Sequence, residues 1–135
     1  MGSQDYAAPE IIQRMPYNGF LADIYSLGVI LYIMLTGELP FSRDARYSAL
    51  ERGTYPNISF PSNCTIPEKA RLLCIQMLCS EPSKRIKMSE IMQHSWVKDG
   101  RARSASKAFS NLIGQMRNLT LKRKSSSQRN LQTIY

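Results

Sequence analysis

Few side chains in this 135-residue sequence are of types that do chemistry by themselves. Its single histidine, His94, has no cluster of other potential metal ligands around it, so a packed or hydrogen-bonded imidazole is favoured over a metal ligand. The three cysteines form no Cys-x-x-Cys pair and cannot all be joined in disulfides; they are Cys64, Cys74 and Cys79. We therefore expect reduced thiols in a cytoplasmic protein, with no metal site.

The charge of the chain is divided unevenly along its length. Eighteen Lys and Arg residues against ten Asp and Glu residues give a formal net charge of +8. Residues 1–100 sum to zero, whereas residues 101–135 contain no acid and carry the whole excess. This distribution predicts a neutral globular part followed by a basic tail, and it argues against a uniformly basic fold that binds a specific nucleic acid.

The elements that must position these side chains are predicted to be helical, with no strand. Residues 24–36 are apolar on nearly every face, which is typical of a buried central helix. Asp23 is expected to cap the amino end of this helix, and Gly37 is expected to end it in the left-handed conformation. The continuous apolar run over 27–35 is too short to span a bilayer.

Shorter helices are predicted around the central one, over 9–14, 44–52 and 87–93. Another helix is expected to begin at a capping box formed by Thr65 and Glu68. This helix is expected to turn five apolar side chains inward: Leu72, Leu73, Ile75, Met77 and Leu78. Three methionines are expected to fill the core: Met34, Met77 and Met92.

Four sequence blocks point to a family. They are 2–10, which closes in Ala-Pro-Glu; 23–32, which begins Asp-Ile-Tyr-Ser; 35–41; and 81–96, which contains Glu-Pro-Ser-Lys-Arg-Ile. In order and spacing they resemble the end of the activation segment, the two ends of the central helix, and the last conserved block of a protein kinase domain. The residues of these blocks resemble the calcium/calmodulin-dependent group of kinases, and residues 6–35 resemble the testis-specific serine kinases in particular.

The resemblance assigns structural roles to three charged residues. It implies that the carboxylate of Glu10 pairs with the guanidinium of Arg85, which can offer a two-pronged fork to a buried carboxylate. This pair would tie the activation segment to the helical lobe. In the family, the aspartate that matches Asp23 holds the backbone of the catalytic loop.

The resemblance also assigns residues to substrate recognition. Ser3 matches a Ser or Thr that touches the catalytic aspartate of Ser/Thr-specific kinases. Tyr6, Ala7 and Ala8 would line the pocket for the substrate residue that follows the phosphoacceptor. These roles operate only when a catalytic loop is supplied, so a purely structural role for the segment is the alternative.

The motifs that perform phosphoryl transfer do not occur in this sequence. It has no Gly-x-Gly-x-x-Gly loop, no lysine-bearing Val-Ala-Ile-Lys strand, no His-Arg-Asp loop and no Asp-Phe-Gly. The family uses Mg-ATP, but this chain alone is predicted to bind no cofactor and to be inactive. The missing segments should leave apolar surface open, so we expect either a partner or poor solubility.

The tail contains one amphipathic stripe, formed by Phe109, Leu112, Ile113, Met116 and Leu119. The basic residues that follow it are Lys122, Arg123 and Lys124. The tail resembles the autoinhibitory or calmodulin-binding helices that follow calmodulin-dependent kinase domains, and it also suits an anionic membrane surface. A solvated helix is the alternative, the basic triplet is a weak nuclear signal, and polar residues 125–135 are expected to be disordered.

These patterns predict a mainly α protein: the truncated helical C-terminal lobe of a protein kinase over 1–98, and a basic tail over 99–135. The first hypothesis is the carboxy-terminal part of a Ser/Thr protein kinase whose parent phosphorylates protein Ser/Thr with ATP. The alternative is a non-catalytic binding or regulatory module that acts through the face of the lobe or through the tail.

Overall fold

The longest helix, α2, spans Gly19–Thr36 in the computed structural model, which describes residues 3–99 and 110–118. The Asn18 side chain caps it by accepting from the backbone N–H of Phe20 at 2.9 Å and of Leu21 at 3.3 Å. The prediction that Asp23 caps the helix is therefore wrong, because the helix begins at Gly19, five residues earlier than predicted, and Asp23 lies inside it. Gly37 ends the helix at φ 81°, as predicted.

The α2 helix forms the core of the unit Met1–Trp96. Its buried residues are Ala22, Ile24, Tyr25, Leu27, Gly28, Val29, Leu31 and Tyr32. By length and composition alone α2 is apolar enough to cross a membrane, with a mean hydropathy of 1.7. The core helix of a soluble protein meets the same criterion, and α2 packs against another helix of its own unit, α4 (Glu68–Met77).

The α4 helix spans Glu68–Met77 and packs one face against α2. The predicted capping box is wrong: Pro67 occupies the cap position, no side chain caps the helix, and Glu68 is its first residue instead of its third. The buried face of α4 consists of Ala70, Leu73, Cys74 and Met77. Residues three or four apart share a face, and this spacing leaves Leu72 and Ile75 48% and 40% exposed, contrary to prediction.

The remaining helices are short. They are α1 (Pro9–Ile12), α3 (Arg43–Glu51), α5 (Met88–Gln93) and α6 (Ser95–Lys98), with 3-10 turns at Ser3–Asp5 and Pro82–Lys84. The Ser42 hydroxyl caps α3 by accepting from the Ala45 amide at 3.2 Å, and Gly53 follows the helix at φ 67°. No strand occurs in residues 3–99 or 110–118, which confirms the mainly helical prediction.

Two of the three methionines predicted to fill the core do not do so. Met77 is fully buried, but Met34 and Met92 are 55% and 43% exposed. Met34 lies near the C-terminal end of α2, beyond the last buried residue of that helix. Met92 follows Ile91, and it is Ile91 that takes the inward position on α5.

The second unit is Val97–Tyr135, and its described part contains a helix, α7, over 110–118. Within α7, Ile113 is buried, and Leu112 and Met116 are half-buried. Phe109, Leu119, Lys122, Arg123 and Lys124, which the sequence analysis assigned to the stripe and its basic end, lie outside the described residues, as do residues 125–135.

Replacing Asn18 with alanine is expected to lower the free energy of unfolding by about 1 kcal/mol, because two amides of the first turn of α2 lose their acceptor. Replacing Thr65 with alanine serves as the matched control, since no side chain caps α4. Urea unfolding of the two variants measures the difference. An equal loss in both would mean that Asn18 contributes nothing specific.

The thiol of Cys74 is expected to resist alkylation. Burial raises its pKa to about 12, so at pH 8 only about one thiol in ten thousand is the reactive thiolate. Cys64 and Cys79 are only half-buried. Iodoacetamide at pH 8 should therefore label those two at least a hundredfold faster than Cys74, as measured by peptide mass spectrometry. Equal labelling of all three in urea is the control, and equal labelling without urea would contradict the prediction.

Candidate functional site

A buried ion pair joins Glu10 to Arg85. Nη1 of Arg85 donates to Oε1 of Glu10 at 2.7 Å, and Nη2 donates to Oε2 at 3.0 Å. The side chain of Glu10 is 7% exposed and that of Arg85 is 0% exposed. Arg85 also donates from Nε to the carbonyl of Cys79 at 2.9 Å and from Nη1 to the carbonyl of Leu21 at 2.7 Å. The pair therefore has the two-pronged geometry and the additional hydrogen bonds that a buried charge requires.

The ion pair connects parts of the chain that are 75 residues apart. Glu10 lies in the first turn of α1, which Pro9 begins. Arg85 follows the 3-10 turn Pro82–Lys84. Arg85 also binds the carbonyls of Leu21 and Cys79. Its side chain therefore connects α1, the first turns of α2 and the loop after α4.

Residues 4–7, which precede α1, are held by their carbonyl groups. The Arg46 guanidinium donates from Nη1 to the Gln4 carbonyl at 2.7 Å and from Nη2 to the Ala7 carbonyl. The Ser26 hydroxyl donates to the Tyr6 carbonyl at 2.8 Å. The backbone of this segment is thus anchored to α3 through Arg46 and to α2 through Ser26.

Two further contacts join the same segment to α3 at the surface. The Tyr47 hydroxyl donates to Oε1 of Gln4, and Arg43 lies 3.4 Å from the Asp5 carboxylate. Arg43 is 57% exposed, so this ion pair is screened by water and adds little stability. The buried contacts of Arg46 therefore carry most of the attachment to α3.

Tyr25 of α2 lies between these two groups of contacts. The guanidinium carbons of Arg85 and Arg46 lie 5.2 and 5.7 Å from the centre of its ring, within the range of cation–π attraction. Its hydroxyl shares a hydrogen bond with the hydroxyl of Tyr55. Burial and the neighbouring Tyr55 raise the pKa of Tyr25, so it remains a neutral phenol.

The structure brings some of the predicted residues together in one segment. Ser3 begins the 3-10 turn, although its side chain lies outside the described part. Tyr6 and Ala7 are half-buried. Ala8 is fully buried, so of the three residues predicted to line a substrate pocket only Tyr6 and Ala7 have exposed surface. Asp23 is half-buried within α2.

Arg46 and Ser26 are not among the residues that the sequence pattern identifies. Arg46 stands three residues before Ala49, and these two are the buried residues of α3. Tyr47, which follows Arg46, is 38% exposed. An arginine on the inner face of an amphipathic helix indicates a buried cation with specific acceptors.

The described residues offer little for direct chemistry. They contain no group of three or more His, Cys, Asp or Glu side chains that could hold a metal ion. Nδ1 of His94 accepts from the Trp96 amide at 3.2 Å, and burial lowers the pKa of the imidazole. The hydrogen-bonded role predicted for His94 is therefore confirmed.

An open groove of about 440 Å³ lies on the surface of the described residues. Its lining is Tyr55, Pro56, Asn57, Ile58, Ile75, Leu78, Cys79 and Ser80. It carries neither a cationic side chain for phosphates nor a carboxylate for Mg²⁺, so it does not fit Mg-ATP.

The sequence matches known proteins over the part that contains these contacts. The protein kinase domain family matches residues 1–97. Testis-specific serine/threonine-protein kinase 4 of Homo sapiens is 43% identical over 96 residues, which cover 71% of this chain and 29% of that protein. Testis-specific serine/threonine-protein kinase 1 of Mus musculus is 35% identical over 114 residues, 84% of this chain and 31% of that protein.

A third relative comes from Dictyostelium discoideum. Probable serine/threonine-protein kinase MARK-A of Dictyostelium discoideum is 38% identical over 96 residues, 71% of this chain and 9% of that protein. The chain thus spans less than a third of the length of these relatives. They are Ser/Thr kinases of the calcium/calmodulin-dependent group, and the chain itself belongs to the protein kinase family through a partial protein kinase domain.

Proposed function

We propose that this chain forms the substrate-binding side of a Ser/Thr protein kinase, whose complete domain transfers phosphate from Mg-ATP to protein Ser or Thr. The anchoring of residues 4–7 carries this proposal. Arg46 and Ser26 hold this segment through its backbone carbonyls, and the half-buried side chains of Tyr6 and Ala7 lie on the backbone that is fixed in this way. The Glu10–Arg85 pair fixes the helix that follows.

The nucleotide-binding and catalytic groups are proposed to come from residues outside this sequence, which has no phosphate loop, His-Arg-Asp or Asp-Phe-Gly. Asp23 would then hold the backbone of the catalytic loop, and Ser3 would touch its aspartate. The activity of the chain alone is proposed to be nil. Mg-ATP should leave the unfolding temperature of the chain unchanged, and a stabilisation that depends on nucleotide would overturn this part of the proposal.

Reading the transcript upstream of Met1 tests the proposal as a whole. An in-frame segment that encodes His-Arg-Asp followed by Asp-Phe-Gly supports the kinase assignment. In-frame stop codons, together with a translated product of 135 residues, reject it and leave the non-catalytic module as the better account.

The groove favours this second candidate, a kinase-derived binding module. Its apolar lining includes Ile75, which is 40% exposed, and Ile58, which is half-buried. Exposed apolar surface of this kind is typical of sites that a protein partner or a further segment of the domain covers. A sharp, cooperative thermal transition of the monomeric chain would show that no cover is needed.

The tail is proposed to contribute a separate binding segment. Leu112, Ile113 and Met116 have the helical spacing that suits calmodulin or an anionic membrane surface, and the sequence on both sides is basic. A peptide of residues 101–124 can be titrated with calcium-loaded calmodulin and with vesicles that contain phosphatidylserine. Absence of binding to both at micromolar concentrations would leave a solvated helix.

A further inference from the structure

Arg46 is a second buried cation, and it takes no part in the Glu10–Arg85 ion pair. It is 5% exposed, and no carboxylate in residues 3–99 or 110–118 forms an ion pair with it. Burying an unpaired charge is costly unless specific acceptors replace its water. The structure provides those acceptors on one short segment, at the carbonyls of Gln4 and Ala7.

The geometry of the Arg46 guanidinium allows it to bind two backbone carbonyls at once. Its two terminal nitrogens bind carbonyls three residues apart, whereas Nε has no hydrogen-bond partner. The planar group also lies 5.7 Å from the centre of the Tyr25 ring, which restricts its orientation. A planar fork of this kind fixes the separation of two acceptors, which the single ammonium group of lysine does less well.

The position of the two acceptors determines what Arg46 controls. Gln4 and Ala7 bracket Asp5 and Tyr6, so the bonds fix the turn that presents Tyr6 and Ala7. The same turn contains a bond from the Ala7 amide to the Gln4 carbonyl at 3.3 Å. Moving the guanidinium would release the backbone at both ends of this turn, while the Ser26 bond to the Tyr6 carbonyl and the surface contacts of Tyr47 and Arg43 would remain.

We propose that Arg46 is a positioning residue that sets the backbone of residues 4–7 and thereby makes α3 part of the peptide-binding apparatus. The effect on peptide binding rests on the function proposed above, whereas the effect on the backbone does not. Arg46 touches no reacting group, and it acts through the segment that it holds.

Amide hydrogen exchange of the full chain tests the backbone effect. Arg46→Met is expected to speed exchange at residues 5–8 at least tenfold while exchange in α4 changes less than twofold. Arg46→Lys, which keeps the charge and one donor group, should fall between Arg46→Met and wild type. Arg52→Met is the matched control, because Arg52 is an exposed arginine at the end of the same helix, and it should change neither region.

Two results would overturn the backbone effect. One is unchanged exchange at residues 5–8 in Arg46→Met. The other is acceleration of α4 by the same factor, which would indicate general loss of stability. Arg46→Lys decides the matter if Arg46→Met does not fold, since wild-type exchange at residues 5–8 in the lysine variant would show that the fork has no role.

Peptide titration separates this proposal from the function on which it rests. The probe is a heptapeptide with a central serine followed by leucine, added at millimolar concentration while the amide resonances of residues 5–8 are recorded. We expect shifts in wild type and Arg52→Met that fall at least fivefold in Arg46→Met. Equal binding by wild type and Arg46→Met overturns the positioning role. No binding by wild type, with faster exchange in Arg46→Met, rejects the peptide function and retains the backbone role of Arg46.

Discussion

Replacing Glu10 with alanine is expected to lower the free energy of unfolding by about 3–5 kcal/mol. The reason is that the variant would leave the Arg85 guanidinium fully buried without its carboxylate, and an uncompensated buried charge costs far more than the pair contributes. Glu10→Gln should cost less, since the amide oxygen still accepts one hydrogen bond. Urea unfolding followed by circular dichroism measures both losses.

The matched control is another Glu–basic pair in the same unit. Glu81 and Lys84 are joined at 2.8 Å, but their side chains are 52% and 73% exposed. Their bond lowers the pKa of Glu81 and raises that of Lys84, yet Glu81→Ala is expected to leave the unfolding midpoint nearly unchanged because water screens the pair. Equal losses in Glu10→Ala and Glu81→Ala would falsify the role assigned to burial.

Replacing Gly28 with valine is expected to lower the free energy of unfolding by about 3 kcal/mol, through overpacking between α2 and α4. A Cβ atom at position 28 would lie 2.9 Å from Cβ of Met77 and 3.1 Å from Cγ of Leu78. The Cβ of Met77 is fixed to the backbone, so the two helices would have to move apart. Gly28→Ala should show a smaller loss, because strain outweighs the gain of about 1 kcal/mol in helix propensity.

Gly19→Ala is the control for this prediction. Gly19 begins the same helix, and a Cβ atom there would meet nothing within 4 Å. We expect Gly19→Ala to be neutral or slightly stabilising in the same urea experiment. If Gly28→Ala were also stabilising, the close approach of α2 and α4 at this glycine would be ruled out.

The sequence was sufficient for the family and for most of the helices because those signals are local. The apolar residues of α2 and the glycines at 37 and 53 mark elements within a few residues of themselves. The residues at which helices begin were harder to predict from the sequence. Asn18 lies in a stretch that resembles a turn, and the Thr65–Glu68 pattern is overridden by Pro67, which takes the cap position.

The attachment of residues 4–7 could not be predicted for a different reason. Arg46 binds carbonyls, and every residue has a carbonyl, so no side-chain pattern identifies Gln4 and Ala7 as its partners. The buried face of α4 was also ambiguous from the sequence, because the exposed residues Leu72 and Ile75 are as apolar as the buried ones. Only the packing against α2 decides between them.

The contacts that shape residues 4–10 also determine when this part of the chain can fold. Ser26, Arg46 and Arg85 lie 20, 39–42 and 75 residues further along the chain than the groups they bind. During synthesis, residues 4–10 therefore leave the ribosome before any of these three partners has emerged. This segment cannot reach its final conformation until those partners are present, and the Glu10 carboxylate stays in water until Arg85 has emerged and can fold against it.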